Sequence, residues 1–397
     1  MRGGVGLENI GWNFLLIYFK RLMNIQNIKV AIVHDYLHVF GGAEGVVQAI
    51  YEIFPQADIY TSTCDEEMLK KMDLFKGSKI FYPKWKNNIP GKFKRFMHKL
   101  LIANLPFYFE NLDLSKYDLI ISSSAHFAKG VRKSRSDQLH VSYIHTPPRF
   151  LYGFEGEIRK RSYWYWKLLL WPLDTYLRFL DQKFAQRPDY LLCNSENVRN
   201  RIKKFYNRDA KIIYPFPNIE VTEKDFQDSQ LNKENFYLII SRLAAYKNID
   251  LAIKVCGKTN RELIIGGKGP DEQMLKDIAA EYTSVKMLGF ITDEKKFDLY
   301  KRCKAVLATV KDEDFGMAPL EPMLFGKPVI ALKQGGYLET VDEKVGVFFE
   351  ELTIESLLTA IRELENKTLN PVKIREHALK FSKDNFKEKF KNFIENI

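Results

Sequence analysis

Two carboxylates, Glu313 and Glu321, stand eight positions apart in EDFGMAPLEPMLFGKPVIA. Glu313 follows an apolar run over 304–310, and the spacing places Glu321 in the first turn of the next helix. A turn over Gly316–Pro319 separates them. The backbone N–H groups of Phe315, Gly316, Met317 and Ala318 then belong to a helix N-terminus, where unpaired donors and the helix dipole stabilise a diphosphate. Carboxylates beside such an anion repel it unless they face its neutral ends. Their best use is therefore as hydrogen-bond acceptors for sugar hydroxyls on either side of the phosphates. Arg242 and Lys247 stand five apart in SRLAAYKN, just after another apolar run. Paired cations there can neutralise a diphosphate leaving group, Arg by its fork and Lys as a point charge.

Three weaker signals accompany these. GGKGPDE (266–272), with Gly267, is a glycine turn after a strand; it is neither GxGxxG nor a P-loop, and a plain turn explains it equally well. Gly41 and Gly42 precede a helix beginning near Ala43 and Glu44 and allow close backbone approach to a ligand. His126, in SSSAHFAKG, sits just past a strand end. The run Asp312-Glu313-Asp314 has the spacing of an Asp-x-Asp metal motif, but Arg242 and Lys247 can do the charge work of a metal, and no metal site is assigned.

The elements that must carry these residues are legible as apolar runs. The first half gives 29–36, 57–63, 118–124, 139–146, 189–195 and 211–215; the second gives 236–243, 261–267, 285–291, 304–310, 327–333 and 345–351. Continuous runs mean strands covered on both faces, and alternation with helical stretches means parallel βα units. Six strands twice over predicts an α/β chain of two Rossmann-like, doubly wound domains facing across a cleft. The polar stretch Phe216–Asn235 reads as the linker. The expected layout is an extension over 1–22, a first domain over 23–217, a second over 218–379 and a last helix over 380–397. The extension precedes a second methionine, Met23, and is either an upstream start or an interfacial helix.

The 397 residues are 46% hydrophobic and 14% aromatic, which excludes disorder as a description of the chain. No run of ~18 uncharged apolar residues suggests a spanning helix. Cys64, Cys193, Cys256 and Cys303 form no CxxC pair, which argues against a zinc ribbon or disulfide framework and suits a reducing cytosol. The formal net charge is +11, and residues 1–200 hold 28 Lys/Arg against 19 Asp/Glu. From Leu74 to Phe109 there are eight Lys/Arg and no acid. Within it, KFKRFMHKLLI surrounds an apolar face with Lys92, Lys94, Arg95 and Lys99, as an element resting on an anionic membrane surface would. A single-strand nucleic-acid groove is the competing reading of that stretch, but no nucleic-acid-binding motif accompanies it.

In this order the five pieces resemble the family 4 retaining glycosyltransferases of the GT-B fold, over roughly residues 28–365. The resemblance implies that Glu313 binds donor-sugar hydroxyls, Glu321 the ribose, and Arg242 and Lys247 the diphosphate. It places Gly42 near the phosphates and acceptor, His126 beside the donor sugar and Gly289-Phe290 against the base. It also implies that the last helix crosses back onto an acceptor-binding first domain. YIHTPPRFLYGF (143–154) is similar to the mannosyltransferases of O-antigen and capsule assembly, which favours GDP-mannose as donor and a saccharide or polyprenyl-linked acceptor. The expected enzyme is a cytoplasmic hexosyltransferase, peripheral on the inner membrane face, with His126 and Glu313 as catalytic residues and no cofactor. UDP-sugar-dependent glucosyl or N-acetylglucosaminyl transfer and a nucleotide-sugar epimerase are the alternatives.

Overall fold

A computed structural model describes residues 28–83, 104–153 and 164–397. The extension over 1–22 and the basic positions Lys92, Lys94, Arg95 and Lys99 lie outside the described residues. In the first domain the strands are β1 Val30–His34, β2 Asp58–Thr61, β3 Ile80–Phe81, β4 Leu119–Ser124, β5 Leu139–Ile144, β6 Tyr190–Cys193 and β7 Lys211–Ile212. They form one parallel sheet in the order β3-β2-β1-β4-β5-β6-β7. The helices are α1 Gly42–Ile53, α2 Glu66–Lys71, α3 over 104–110, α4 Trp164–Phe184 and α5 Glu196–Tyr206. Along β1, Val30 and Ile32 enter one hydrophobic cluster while Ala31 and Val33 enter another on the opposite face. That period-two division is why every residue of this strand is buried.

The second domain repeats the scheme with β8 Phe236–Ile240, β9 Glu262–Gly266, β10 Val285–Gly289, β11 Ala305–Ala308, β12 Val329–Leu332 and β13 Gly346–Phe349. Its parallel order is β10-β9-β8-β11-β12-β13. Its helices are α6 Glu223–Leu231, α7 Ile249–Lys258, α8 Glu272–Ala279, α9 Asp293–Arg302, α10 Met317–Met323, α11 Tyr337–Thr340, α12 Ile354–Asn366 and α13 Pro371–Leu379. In each sheet the strand order reverses once, between β1 and β4 and between β8 and β11. Loops leaving adjacent strands at such a point diverge to opposite faces and open a crevice.

Two expectations need correction. The first domain has a seventh strand, β3, whose two residues make no apolar run. The stretch Phe216–Asn235 is not a plain linker: it contains α6, started by a capping box between Thr222 and Asp225. Phe226 of that helix is buried, and Ser229 donates to the carbonyl of Phe325 at 2.8 Å.

The chain ends in α14, Lys383–Glu395, which lies on the first domain. Phe386, Phe390 and Phe393, on one helical face, complete the cluster beneath α1. Lys383 and Lys387 of the same helix reach the Glu52 carboxylate at 2.5 and 3.1 Å. The four cysteines are buried and unpaired. Among the described residues no helix is long and apolar enough to cross a membrane.

Replacing Phe390, fully buried, by Ala should destabilise the first domain by about 3–5 kcal/mol in urea unfolding. Lys391→Ala, on the outer face of α14, should change it by no more than about 0.5 kcal/mol. Equal effects of the two substitutions would contradict the placement of this helix.

Candidate active site

The second-domain half of the cleft is built from the loops that leave β8 and β11, the two neighbours at the switch point. After β8 the chain makes a single 3-10 turn, Ala245–Lys247, and Asn248 takes a left-handed conformation (φ 50°). The Asn248 side chain donates to the carbonyls of Tyr246 and Thr309 at 3.1 Å each, and Thr309 Oγ1 donates to the carbonyl of Lys247 at 2.6 Å. These bonds tie the two loops together. Lys247 Nζ then stands 3.3 Å from Glu313 Oε2. Burial works against the Lys247 ammonium, but the Glu313 carboxylate outweighs it and holds its pKa above the ordinary value.

The other expected donor residues fall around this pair. Arg242 is exposed at the end of β8. Gly267 has φ +134°, and a Cβ there would lie 1.9 Å from the carbonyl oxygen of Ser241, so its glycine is demanded by two loops crossing. Phe290 is 70% exposed, with the Lys268 ammonium 5.9 Å from its ring centre. Phe315 is buried, and Gly316 turns the chain through φ +93° into α10, so Met317 and Ala318 are already helical. Glu321 therefore lies in the second turn of the helix, not the first. It accepts a bond from the Tyr300 hydroxyl at 2.8 Å and has Lys296 at 3.5 Å.

The first-domain half is organised by an acid that motif reading passed over. Asp35 follows β1 and is 1% exposed. Its carboxylate accepts the backbone N–H groups of Ala125, His126, Phe127 and Ala128 at 2.7–2.9 Å. Burial opposes its charge, yet His126, His34 and those N–H groups hold its pKa below the ordinary value. The loop after β4 is thus wrapped around one carboxylate, and His126 stands between the rings of Tyr36 and Phe150, with centroids 5.7 and 5.9 Å away. Burial lowers the pKa of His126, and Asp35 only partly opposes this, so the imidazole is neutral at pH 7. Beneath the loop, Lys129 donates to the carbonyl of His126 and to Asp181, both at 2.5 Å. Asp181 also receives the hydroxyls of Tyr152 and Tyr206 at 2.8 Å.

The two halves are fastened to each other through the residues flanking Glu313. Arg201 of α5, 5% exposed, pairs with Asp312 at 2.8 Å and with Asp314. Arg149 reaches Asp314 at 2.9 Å, and its guanidinium lies 5.7 Å from the centre of the Tyr246 ring. Ser195 donates to the Asp314 carbonyl at 2.6 Å, and the Asn197 amide donates to the Glu313 carbonyl at 2.8 Å. In return Glu339 of α11 accepts the N–H groups of Glu196 and Asn197, the exposed donors at the start of α5. Both aspartates of the Asp-x-Asp run are thus occupied by arginines. Among the described residues no cluster of His, Cys, Asp or Glu is arranged to hold a metal.

The structure brings Lys247 and Glu313 into contact, with Arg242 on the same switch-point loop, and puts Glu321 on α10. His126 stands at the corresponding point of the first sheet. Gly41 caps α1, and a Cβ on Gly42 would lie 1.8 Å from the Met317 methyl, so the room at Gly42 is taken by a second-domain side chain. Asp35, Arg149, Arg201 and Glu339 were missed. Only Arg149 carried a signal, as the last residue of the His-Thr-Pro-Pro-Arg stretch.

Comparison with known proteins agrees with this layout. Residues 58–220 match the model described as Glycosyltransferase Family 4, and residues 221–383 match Glycosyl transferases group 1. The alpha-1,3/1,6-mannosyltransferase ALG2 of Dictyostelium discoideum is 27% identical over 355 residues, 77% of this chain and 80% of its own. The O-antigen chain mannosyltransferase RfbU of Salmonella typhimurium is 26% identical over 243 residues, 55% of this chain and 63% of its own. Among solved structures, Anabaena Alr3699/HepE in complex with UDP has a TM-score of 0.65 at 19% identity, covering 93% of this chain and all of that one. The lipopolysaccharide outer core galactosyltransferase WaaB, in its apo form, has a TM-score of 0.63 at 17% identity, covering 92% and 99%. These two share the GT-B fold.

Asp35→Ala leaves four backbone donors in the 125–128 loop without their acceptor and should destabilise the first domain by about 3 kcal/mol or more. Amide exchange at residues 125–128 should accelerate more than in β4. Because the native carboxyl is held below its ordinary pKa, this contribution is complete at neutral pH and fades only as pH falls below about 4 toward the lowered native value. Unchanged exchange in that loop would refute the assignment.

Proposed function

Because the chain belongs to the family 4 glycosyltransferases, we propose that it transfers a mannosyl group from GDP-mannose to a saccharide or polyprenyl-linked acceptor in cell-surface polysaccharide synthesis. The ALG2 and RfbU mannosyltransferases among its relatives support mannose, as does the His145–Arg149 stretch. The observation that carries the reading is the Lys247–Glu313 pair at the β8/β11 switch point. An isolated carboxylate there would repel a diphosphate. Beside a lysine it is neutralised, and it stays available as an acceptor for sugar hydroxyls.

In this reading the diphosphate lies on Arg242 and Lys247, the ribose near Glu321, and the base against Gly289-Phe290. The hexose extends past Glu313 toward the neutral imidazole of His126. The bond from the anomeric carbon to the phosphate oxygen breaks through an oxocarbenium-like state, and the cations stabilise the charge that develops on the leaving diphosphate. The acceptor hydroxyl attacks from the same face, so configuration is retained, and its proton passes to the departing phosphate oxygen. No protein base is assigned. We read the reaction as independent of divalent metal, since Asp312 and Asp314 are engaged by Arg149 and Arg201 and the diphosphate has its own cations. Buried, unpaired cysteines support a cytoplasmic site of action.

Glu313→Gln should lower transfer from radiolabelled GDP-mannose by at least ~100-fold, while wild-type activity withstands EDTA. GDP-mannose should also give the largest thermal shift when set against UDP-glucose, UDP-galactose and UDP-N-acetylglucosamine. Full activity in the variant would end the assignment of Glu313. A larger shift with a UDP sugar would replace mannose as the transferred group.

A further inference from the structure

Asp181 of α4 is fully buried, and its contacts lead to three separate segments of the first domain. Its Oδ1 receives Lys129 at 2.5 Å, and its Oδ2 receives the hydroxyls of Tyr152 and Tyr206 at 2.8 Å each. The Lys129 side chain is 1% exposed and also donates to the carbonyl of His126. Asp35 accepts the N–H of Phe127 at 2.9 Å, so the peptide unit joining His126 to Phe127 is held at both polar ends by buried charges. Tyr152 stands three residues beyond Arg149, and Tyr206 stands on α5 with Arg201. Those two arginines hold Asp312 and Asp314 on either side of Glu313. Burial and the Asp181 charge push both phenols above their ordinary pKa, so each hydroxyl stays a donor.

We propose that Asp181 is a positioning residue for the transfer reaction: through Lys129, Tyr152 and Tyr206 it sets His126 against the loop that carries Glu313. Its role rests on those proposed above for His126 and Glu313, and it acts through other residues. As a mere core filler the Lys129–Asp181 pair would be a poor choice. Desolvating two charges is costly, and well-packed neutral side chains of similar size stabilise a core as well or better. What neutral side chains do not supply is this set of directed bonds. An ammonium has three donors and no acceptor, so Lys129 serves a carboxylate and a backbone carbonyl from one point. A carboxylate has acceptor sites enough for that ammonium and two hydroxyls together. Packing closes the same hub: Tyr152 stacks on Phe205 at 4.2 Å, and the Lys129 ammonium lies 5.4 Å from the centre of the Tyr206 ring. The His126 loop, the 149–152 segment and α5 thereby share one origin. Two of these three carry the arginines that fasten the Glu313 loop, and the third carries His126. A misplacement of about 1 Å between reacting groups can cost on the order of 100-fold in rate. Arg242 and Lys247 belong to the second domain, so donor affinity does not depend on this hub.

Paired substitution in the full chain separates positioning from stability. Asp181→Asn strands the Lys129 ammonium and should lower both the melting temperature and kcat. Lys129→Met combined with Asp181→Asn removes both charges and leaves Tyr152 and Tyr206 an amide oxygen to donate to. This double variant should regain about half or more of the lost melting temperature. Its kcat should stay at least ~10-fold below wild type, with KM for the donor within about threefold. Amide exchange at residues 126–129 should stay faster than in wild type while β4 is protected again. Tyr206→Phe, which disturbs no charge, should lower kcat roughly two- to fivefold with KM unchanged. The double variant and Tyr206→Phe are read against wild type even where Asp181→Asn does not fold. Recovery of kcat in step with the melting temperature would overturn the proposal, as would wild-type exchange at residues 126–129 in the double variant. The kinetics use whichever nucleotide sugar the wild type turns over, so a wrong donor shows in the wild type itself. Absence of any transfer by the wild type would count against the proposed function and leave the exchange at 126–129 to decide the role of Asp181.

Discussion

A guanidinium taken out of water must meet carboxylates, and Arg201 is the place where this chain meets that demand. It is 5% exposed, and the acids that satisfy it lie across the domain boundary on either side of Glu313. Breaking such a buried pair from one side costs about 3–5 kcal/mol, because the remaining charge is stranded. The loop that carries Glu313 is therefore not free to drift. Arg201 and Arg149 hold its two aspartates, Asn197 holds its backbone, and Lys247 holds the Glu313 carboxylate. One interaction set both joins the domains and positions Glu313, the acid proposed to face the sugar.

The chemistry follows from where each sheet reverses its strand order. At β8/β11 the diverging loops bring a cation and an acid to 3.3 Å. At β1/β4 they bring Asp35 under the loop of His126, and four aligned N–H groups make that buried carboxylate tolerable. The two crevices carry different parts: a cation–carboxylate pair, proposed to meet a diphosphate and its sugar, on one side, and an imidazole among aromatic rings on the other. Each part rests on hydrogen bonds to the backbone beside neighbouring strand ends.

Much of this was legible in the residues alone. Twelve apolar runs marked twelve of the thirteen strands among the described residues, because most of these strands are buried on both faces and so read as nearly continuous apolar runs. The strand β3 escaped notice, since two residues at a sheet edge make no run. The helix α6 was read as linker although Thr222 and Asp225 spelled its start, because its solvated face dilutes the apolar pattern. Glu313, Lys247 and Arg242 could be placed beside strand ends because that spacing is local. Arg201 could not, since its partners lie more than a hundred residues away and nothing in spacing connects them. Asp35 was hidden for a related reason: its role is to accept backbone donors, which every sequence supplies.

The central claim is that the Lys247–Glu313 pair receives the donor at the junction of diphosphate and hexose. A crystal structure of the chain with GDP-mannose tests this most directly. The account predicts the diphosphate against Arg242 and Lys247, with at least one hexose hydroxyl donating to the Glu313 carboxylate. A donor bound with its diphosphate away from Lys247, or with Glu313 facing solvent, would contradict it.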